Sequence, residues 1–380
     1  MNNKFDDIRP YYDSEAVEAL QRITQHPLFE AIASYVYPEL SLQEVRQKVE
    51  SVGNIYDFQH QIMHRVNQQI IKNSITEMTY GGVEKIDPQC GYLFVSNHRD
   101  IMLDASLMQN ILMDHNIPTA QITFGANLMR GELVIDIGKS NKMFRVERPG
   151  GNIRDFYRAS SHLSEYIREV IVEGGESVWI AQRNGRTKDG IDRTDQGIIN
   201  MFRLSCSKDK IRSIAELNLL PVAVSYEWEP CDIRKATELY ARRRGPYIKQ
   251  ADEDLQSILT GITQYKGRVH FEFCEPLTQS DVAPYAELSS NELNKAIATL
   301  VDGRICRAYH LFPNNYIAHD MLSGTNEYAA EYSAEERERF IAHLEKCEQG
   351  VAEDIDKGEI REIMLGIYAY AVDSKREFSL

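Results

Sequence analysis

The sequence has no long apolar segment. None of its uncharged apolar stretches approaches the roughly 18 to 20 residues that a membrane-spanning helix needs, so we expect no transmembrane helix. The first residues, MNNKFDDIRPYYDSE, are acidic and contain no apolar core of the kind found in signal peptides. The sequence therefore predicts neither a membrane span nor a secretory signal.

Paired cysteines are also lacking, because the six cysteines are scattered without a C-x-x-C pair. A disulfide framework or a zinc site usually shows regular cysteine spacings. Scattered thiols are more typical of a reducing compartment. We therefore expect a cytoplasmic protein with reduced cysteines and no metal site.

Positive charge is scarce: 43 basic residues face 57 acidic ones, which gives a net charge of −14 and a pI near 5.3. This balance argues against a general nucleic-acid-binding protein, which needs clustered lysine and arginine. It would also repel an anionic membrane, so any membrane contact must come from a local basic or apolar patch. Residues 242–244, three arginines, are one such patch, although a solvated helix end would look the same.

What remains is ordinary for a globular protein, with 43% hydrophobic and 26% charged residues. We divide the chain into a helical N-terminal region (1–80), an α/β domain (81–284) and a helical C-terminal region (285–380). In the middle region short apolar runs alternate with helical stretches. This order predicts an α/β fold whose central sheet is mostly parallel and flanked by helices. Ligands of such sheets bind outside the carboxyl ends of the strands.

The segment VSNHRDIMLDAS, at residues 95–106, places His98, Asp100 and Asp104 where an apolar strand ends. Histidine can take a proton at neutral pH, and a carboxylate on its other ring nitrogen would fix the tautomer. Either acid could serve. Taken alone, such a segment is more often a polar turn that caps the next helix.

Two further segments carry candidate anion-binding residues. Arg145 and Arg148 precede a Pro-Gly-Gly turn, where two guanidinium groups could hold an anionic substrate or simply face solvent from an edge strand. The loop QRNGRTKDGIDRTD follows a second strand, and a basic loop with glycines at that place suits phosphate or carboxylate binding. Its interleaved acids also permit a neutralised surface loop. The candidate residues of this loop are Arg183, Gly185, Arg186 and Lys188.

The order of these segments resembles the four blocks of the glycerolipid acyltransferase superfamily, which includes the glycerol-3-phosphate and 1-acylglycerol-3-phosphate acyltransferases. The matching stretches are SNHRDIMLD, KMFRVERPGG, WIAQRNGRTKDG and LLPVAVSYEWEP. GRVHFEFCEPL is similar to the late strand that closes the family's sheet. The resemblance covers about residues 80 to 280.

The resemblance implies roles for several residues. His98 matches the general base that deprotonates the acceptor hydroxyl for attack on an acyl thioester, and an acid matches the residue that orients this histidine. Arg145, Arg148 and Arg186 match the region that holds the acceptor's phosphate. The implied donor is acyl-carrier protein or acyl-CoA thioester, the acceptor is a lipid or glycerol phosphate, and no cofactor or metal is needed.

Two departures from the family pattern are visible. The family spaces its histidine and aspartate as H-x-x-x-x-D, whereas His98 and Asp104 are one residue further apart. We prefer Asp104 as the partner, because DASL resembles the start of the family's helix, with Asp100 as the alternative. In the third block Ala181 stands where the family has a glutamate that handles the acceptor, and Gln182 follows.

Three functions remain in contention. The first is an O-acyltransferase for glycerol-3-phosphate or a lysophospholipid, acting in the cytoplasm or peripherally on the inner face of a membrane through transient contact. The second keeps this chemistry but uses another acceptor, such as a hydroxylated acyl-amino acid lipid. The third is a non-catalytic protein that binds acyl groups or lipid on the same scaffold. No nucleic-acid partner is expected.

Overall fold

The computed structural model describes residues 4–147, 152–250 and 252–379. Its centre is a sheet of seven strands in the order β1-β7-β6-β2-β5-β3-β4. Strands β6, β2, β5, β3 and β4 are mutually parallel, while β7 is antiparallel to β6 and parallel to β1. The predicted α/β fold with a mostly parallel sheet is confirmed. The strands are β1 (Ile75–Gly81), β2 (Leu93–Ser96), β3 (Gln121–Gly125), β4 (Met143–Val146), β5 (Val178–Ala181), β6 (Leu219–Tyr226) and β7 (Gly267–Phe273).

Helices cover both faces of the sheet and form the two ends of the chain. Short π-helical segments continue two of them at Phe58–Met63 and Glu169–Glu173, and single 3₁₀ turns lie at Val83–Lys85, Leu204–Cys206 and Ala283–Tyr285. The α-helices are α1 (Asp13–Gln25), α2 (Phe29–Val36), α3 (Leu42–Glu50), α4 (Ile55–Asp57), α5 (His64–Ser74), α6 (Leu103–Asp114), α7 (Glu132–Ser140), α8 (Ile153–Arg168), α9 (Gln196–Arg203), α10 (Arg212–Ala215), α11 (Asp232–Arg244), α12 (Glu253–Thr263), α13 (Gln279–Val282), α14 (Ser290–Ala308), α15 (Pro313–Ser323), α16 (Ala334–Gln349) and α17 (Lys357–Ser379).

Strand β2 is completely buried because both of its faces are covered. Side chains of successive strand residues point to opposite faces. Leu93 and Val95 accordingly pack into one hydrophobic cluster, and Phe94 packs into the cluster on the other side of the sheet. A strand buried on both faces reads as an apolar run without alternation, which is the pattern of GYLFVS.

The position of β2 between β5 and β6 determines which loops meet. Since the three strands are parallel, their carboxyl ends lie at one edge of the sheet. The turn after β2, the loop after β5 and the end of β6 therefore adjoin. Helix α12 lies against this edge, where Gly261 is so close to Asp100 that an added Cβ would lie 2.1 Å from the carboxylate.

The division at residues 80 and 284 stays a prediction. Strand β1 starts at Ile75 and belongs to the sheet, so the sheet takes in the last residues of the region that we assigned as helical. Helices α14–α17 lie beyond the second boundary, and α17 packs on α15 and α11. In the described part of the chain, no helix combines the length and the apolar character that crossing a bilayer requires.

Candidate active site

The segment that follows β2, which we call the β2 turn (residues 97–104), brings His98 and Asp104 together. Nδ1 of His98 lies 2.9 Å from Oδ2 of Asp104, and the histidine side chain is 13% exposed. A carboxylate can only accept a hydrogen bond, so Nδ1 donates and Nε2 keeps a free lone pair. The ring of Trp179 meets the imidazole edge to face, with the ring centroids 5.8 Å apart.

Asp104 is fully buried at the first turn of α6, where four donors hold it. Its Oδ2 accepts from His98 and from the backbone N–H groups of Arg99 and Asp100, at 2.7 and 3.0 Å. Its Oδ1 accepts from the Tyr226 hydroxyl at 2.8 Å. These four bonds fix the carboxylate and thereby the plane of the imidazole.

Asp100 has a different environment from Asp104. Its Oδ1 accepts from the backbone N–H groups of Met102 and Leu103, each at 2.9 Å, so it closes the turn that leads into α6. Its Oδ2 is buried without a hydrogen-bond donor among the described residues. Asp100 therefore shapes the β2 turn, and the acid on the histidine is Asp104.

Beneath the turn lies a buried cluster of two cations and two anions. The Arg99 guanidinium contacts Asp192 at 2.6 Å and Glu229 at 3.3 Å, and Lys235 contacts Glu229 at 2.5 Å. Burial opposes the charge on Arg99, but the field of Asp192 outweighs it and the pKa of Arg99 is raised. Lys235 also donates to the Arg99 carbonyl at 2.7 Å. Removing one member would leave an uncompensated buried charge, so the cluster holds the backbone beside His98.

The loop after β5, which we call the β5 loop (residues 182–195), joins the β2 turn through its backbone. The N–H of Thr187 donates to the His98 carbonyl at 2.7 Å. Gly185 has φ +77° with open space around it, a conformation that favours glycine. Arg186 has a buried Nη1 without a hydrogen-bond acceptor among the described residues. Arg186 also lowers the pKa of the Cys231 thiol against the larger effects of burial and Asp100, so its guanidinium lies beside this cysteine.

The other predicted basic residues are already engaged or lie elsewhere. Lys188 is paired with Glu238, and burial lowers the pKa of its ammonium despite this partner. Arg183 contacts the carbonyl of Ile191 within its own loop, at 3.4 Å. Arg186 is thus the cation of this loop that lies near the β2 turn and has no acidic partner among the described residues.

Arg145 does not join the β2 turn. It lies on β4, which is separated from β2 by β3 and β5, and its guanidinium pairs with Glu147 at 2.5 Å. Arg148 lies outside the described residues. The phosphate-binding role implied for these two arginines stays a prediction.

Several residues of the site were given no role by the sequence analysis. These residues contact the β2 turn from positions 93 to 136 residues away along the chain; they are Asp192, Tyr226, Glu229 and Lys235. Their signal in the sequence is weak: a tyrosine at the end of an apolar strand, an acid at the end of the fourth block, and a lysine six residues after that acid.

Comparison with known proteins gives a family for this segment. Residues 77–225 match the family model described as Acyltransferase. This match includes most of β1, strands β2 to β5, the β2 turn, the β5 loop and most of β6. No curated protein matches the chain.

Among solved structures, the chain is similar to the 1-acyl-sn-glycerophosphate (LPA) acyltransferase PlsC from Thermotoga maritima. Sequence identity is 15%, the likeness covers 74% of this chain and 91% of that chain, and the TM-score is 0.37. The signal recognition particle receptor FtsY from Elizabethkingia anophelis in complex with GDP also matches, with 10% identity, 75% and 95% coverage and a TM-score of 0.23. Likenesses at these TM-scores add nothing to the assignment. The family match over residues 77–225 confirms, for this part of the chain, the resemblance to acyltransferases read from the sequence.

Proposed function

We propose that the protein transfers a fatty acyl group from an acyl thioester to a hydroxyl of glycerol-3-phosphate or a lysophospholipid. The observation that supports this function best is the His98–Asp104 pair at the carboxyl end of β2, inside the segment that matches the acyltransferase family. The thioester is carried by acyl-carrier protein or by coenzyme A.

In this mechanism His98 is the general base. Its Nε2 takes the proton of the acceptor hydroxyl while the oxygen attacks the thioester carbonyl carbon. The tetrahedral intermediate then collapses, the C–S bond breaks, and the imidazolium returns the proton to the leaving thiolate. Asp104 keeps Nδ1 protonated and faces the positive charge that develops on the ring. The sequence of steps needs no cofactor or metal.

Arg186 is the residue of the β5 loop that we assign to the anionic acceptor. Its unpaired Nη1 lies at the same edge of the sheet as His98, and an arginine is suited to hold a phosphate through two parallel N–H donors. Lys188 and Arg183 would need to leave their present partners before they could bind an anion.

Turnover of labelled acyl-carrier protein and acyl-CoA by the pure protein tests the mechanism. We expect His98→Ala to lower transfer at least about 10²-fold, the size of a general-base contribution. His64→Ala is the matched control, because His64 also contacts an aspartate, Asp114, at 2.8 Å but lies on α5. Normal turnover by a folded His98→Ala protein would overturn the mechanism.

A second type of acceptor should be tested in the same assay, because Ala181 replaces the family's glutamate. The next side chain, Gln182, is buried, and neither of its amide atoms has a hydrogen-bond partner among the described residues. A hydroxylated acyl-amino acid lipid lacks the phosphate and therefore needs less positive charge. Incubation with a panel of acceptors separates the alternatives. Strict use of glycerol-3-phosphate rejects the second acceptor, and donor binding without turnover on any acceptor indicates a binding protein.

We further propose that the carboxyl edge of the sheet rests on an anionic lipid surface. Two exposed apolar groups lie at this edge: Ile153 and Phe156 at the start of α8, which are 86% and 59% exposed, and Leu255 and Leu259 on α12, which are 56% and 54% exposed. The opposite side of α12 touches Asp100 through Gly261, so these leucines face away from the site.

Basic residues accompany these apolar groups although the whole chain is acidic. Arg130, in the segment after β3, and Arg154 and Arg158, on α8, lie at this edge, and the side chain of Arg158 is 81% exposed. Where exposed apolar side chains lie near arginines, a protein can bind a membrane in two ways at once. The apolar side chains are buried in the lipid, and the arginines are attracted to anionic headgroups. An acceptor embedded in that lipid would then lie next to the β2 turn.

Vesicle flotation tests this surface. We expect Leu255→Glu combined with Phe156→Glu to weaken binding to phosphatidylglycerol vesicles by at least about tenfold, since each buried apolar side chain contributes about 1.5 to 3 kcal/mol. Leu28→Glu is the control, because Leu28 is also 56% exposed but precedes α2 in the N-terminal region. Equal binding by both variants contradicts the proposed surface, and equal binding to neutral vesicles contradicts the part assigned to the arginines.

A further inference from the structure

Away from the β2 turn, three ligand-type side chains meet where α11 and α16 adjoin. They are Asp232, the first residue of α11, and His343 and Cys347, both on α16. One ligand atom from each lies within 4.8 Å of the other two. The proposed acyl transfer uses none of these groups.

Hydrogen bonds alone leave the Cys347 thiol of this group with at most a weak contact. Nε2 of His343 lies 2.6 Å from Oδ2 of Asp232 and 3.6 Å from Sγ of Cys347. One ring nitrogen carries at most one proton, and the carboxylate, which can only accept, takes it. The same nitrogen then has no lone pair for the thiol. The Asp232 carboxylate and the Cys347 thiol thus approach the same nitrogen, and its one proton goes to the carboxylate.

A divalent cation accounts for all three side chains. Carboxylate oxygen, imidazole nitrogen and thiolate sulfur are the ligand types that zinc takes in proteins. His343 and Cys347 are four residues apart, which places them on one face of α16. The regular cysteine spacing that signals a zinc site in a sequence is missing, because the third ligand comes from a helix more than 100 residues earlier.

The burial of the three ligands leaves one side open. The Asp232 side chain is 2% exposed, whereas that of His343 is 23% exposed and Cys347 is half-buried. A water molecule can therefore reach the fourth position of a tetrahedral ion from the side of α16. We propose that Asp232, His343 and Cys347 form a site for Zn²⁺ or a similar borderline divalent cation, with three protein ligands and water as the fourth.

Binding is a proton exchange without any redox change. The cation forms bonds to Oδ2, Nε2 and Sγ, and it displaces one proton from the His343 imidazolium and one from the Cys347 thiol, both of which go to solvent. Asp232 is supported for this role by Tyr368 of α17, whose hydroxyl donates to Oδ2 at 2.7 Å. Such outer hydrogen bonds orient the ligands of metal sites.

The position of the site implies a structural role. It would join α16 to α11, and through Tyr368 it reaches α17. Helix α11 also carries Lys235, which donates to the Arg99 carbonyl next to His98. A bound ion would thus fix the C-terminal helices against the element that supports the β2 turn.

Titration of the chelator-treated, full-length protein with Co²⁺ tests the site. We expect one equivalent to give the visible ligand-field bands of a four-coordinate site and a near-ultraviolet band from thiolate. Cys347→Ser should remove the near-ultraviolet band, and His343→Ala should weaken Co²⁺ binding at least tenfold. Cys206→Ser is the matched control, because Cys206 is also a half-buried free cysteine but lies outside the group.

Zinc competition and circular dichroism complete the experiment. Zn²⁺ should abolish the cobalt spectrum at one equivalent, and Cys347→Ser, which changes one atom, should keep the wild-type fold. The site is rejected if the wild-type protein binds no cobalt at one equivalent. It is also rejected if the folded Cys347→Ser protein gives the same thiolate band as the wild type.

Discussion

Two histidine–aspartate pairs in this chain use opposite nitrogens of the imidazole. His98 contacts Asp104 through Nδ1, whereas His343 contacts Asp232 through Nε2. Both carboxylates are buried, with side-chain exposures of 0% and 2%. The Nδ1 contact leaves the outer nitrogen, Nε2, free for a substrate. In the second pair the contact with Asp232 occupies Nε2, and Cys347 approaches the same atom.

The difference shows that residue types alone do not define a base. A histidine becomes a candidate base when its partner binds the nitrogen nearer the backbone and the outer nitrogen faces a place where substrate can bind. A histidine bound at the outer nitrogen is suited to an ion pair or to a metal. Predictions that weaken one pair and spare the other test this distinction.

The largest effect is expected from Asp104→Asn. An amide can donate to Nδ1 and so stabilise the wrong tautomer, which in serine proteases costs about 10⁴-fold, and we expect a loss of at least about 10²-fold in kcat. Asp100→Asn keeps an oxygen acceptor for the two N–H groups that it binds, so its loss should stay below about tenfold. If Asp100→Asn lowers kcat more than Asp104→Asn does, then His98 depends on Asp100 and not on Asp104.

The second pair should affect stability rather than turnover. Burial opposes the charge of His343, but the hydrogen bond that the imidazole donates to Asp232 outweighs it, and the pKa of His343 is raised to about 10. A histidine whose pKa is raised on folding contributes its full stabilisation at pH values below its unfolded-state pKa of about 6.5. This contribution is lost as the pH rises towards the folded-state pKa of about 10. In the metal-free protein, we expect His343→Leu to lower the free energy of unfolding by about 3 kcal/mol near pH 6, because it leaves a buried carboxylate unpaired.

Urea denaturation at several pH values measures this effect. The difference between wild type and His343→Leu should shrink steadily between pH 6.5 and pH 10. In a double-mutant cycle with Asp232→Asn, the coupling should account for most of the loss. A difference that is constant over this pH range contradicts the ion pair.

The smallest effect is expected from Tyr226→Phe, which removes one donor from Asp104. Tyr226 is a positioning residue, so kcat should fall about tenfold, corresponding to about 1.4 kcal/mol, while KM for the acyl donor stays the same. Tyr92→Phe is the control, since Tyr92 is also buried but its hydroxyl contacts the backbone of Asp87. Equal losses in both variants, or a change in KM alone, would mean that Tyr226 does not act through Asp104.

The sequence was informative where the contacts are local. His98 and Asp104 are six residues apart, and the strand end and helix start between them are both marked by the apolar pattern. The family resemblance added the general fold. The preference for Asp104 over Asp100 agrees with the contact that the structure has, because the turn is long enough to return the first residues of α6 to the strand end.

The sequence was uninformative where the order of strands decides. Arg145 follows the same kind of strand as His98, but β3 and β5 lie between their two strands. Tyr226 and Asp104 are 122 residues apart and meet because β6 lies beside β2. Apolar periodicity predicts that a strand exists and which of its faces are buried, but it does not predict which strands lie beside it in the sheet.

Helix α12 sets the distance between the β2 turn and the exposed leucines. Its glycine side touches the β2 turn and its leucine side faces outward, so one helix diameter, about 10 Å, separates the two. If the leucine side rests on lipid as proposed, α12 acts as a spacer that holds His98 about that far from the acyl chains. The hydroxyl that reacts would then belong to a headgroup that extends over this distance, and the length of the acceptor's polar part becomes a criterion for substrate choice.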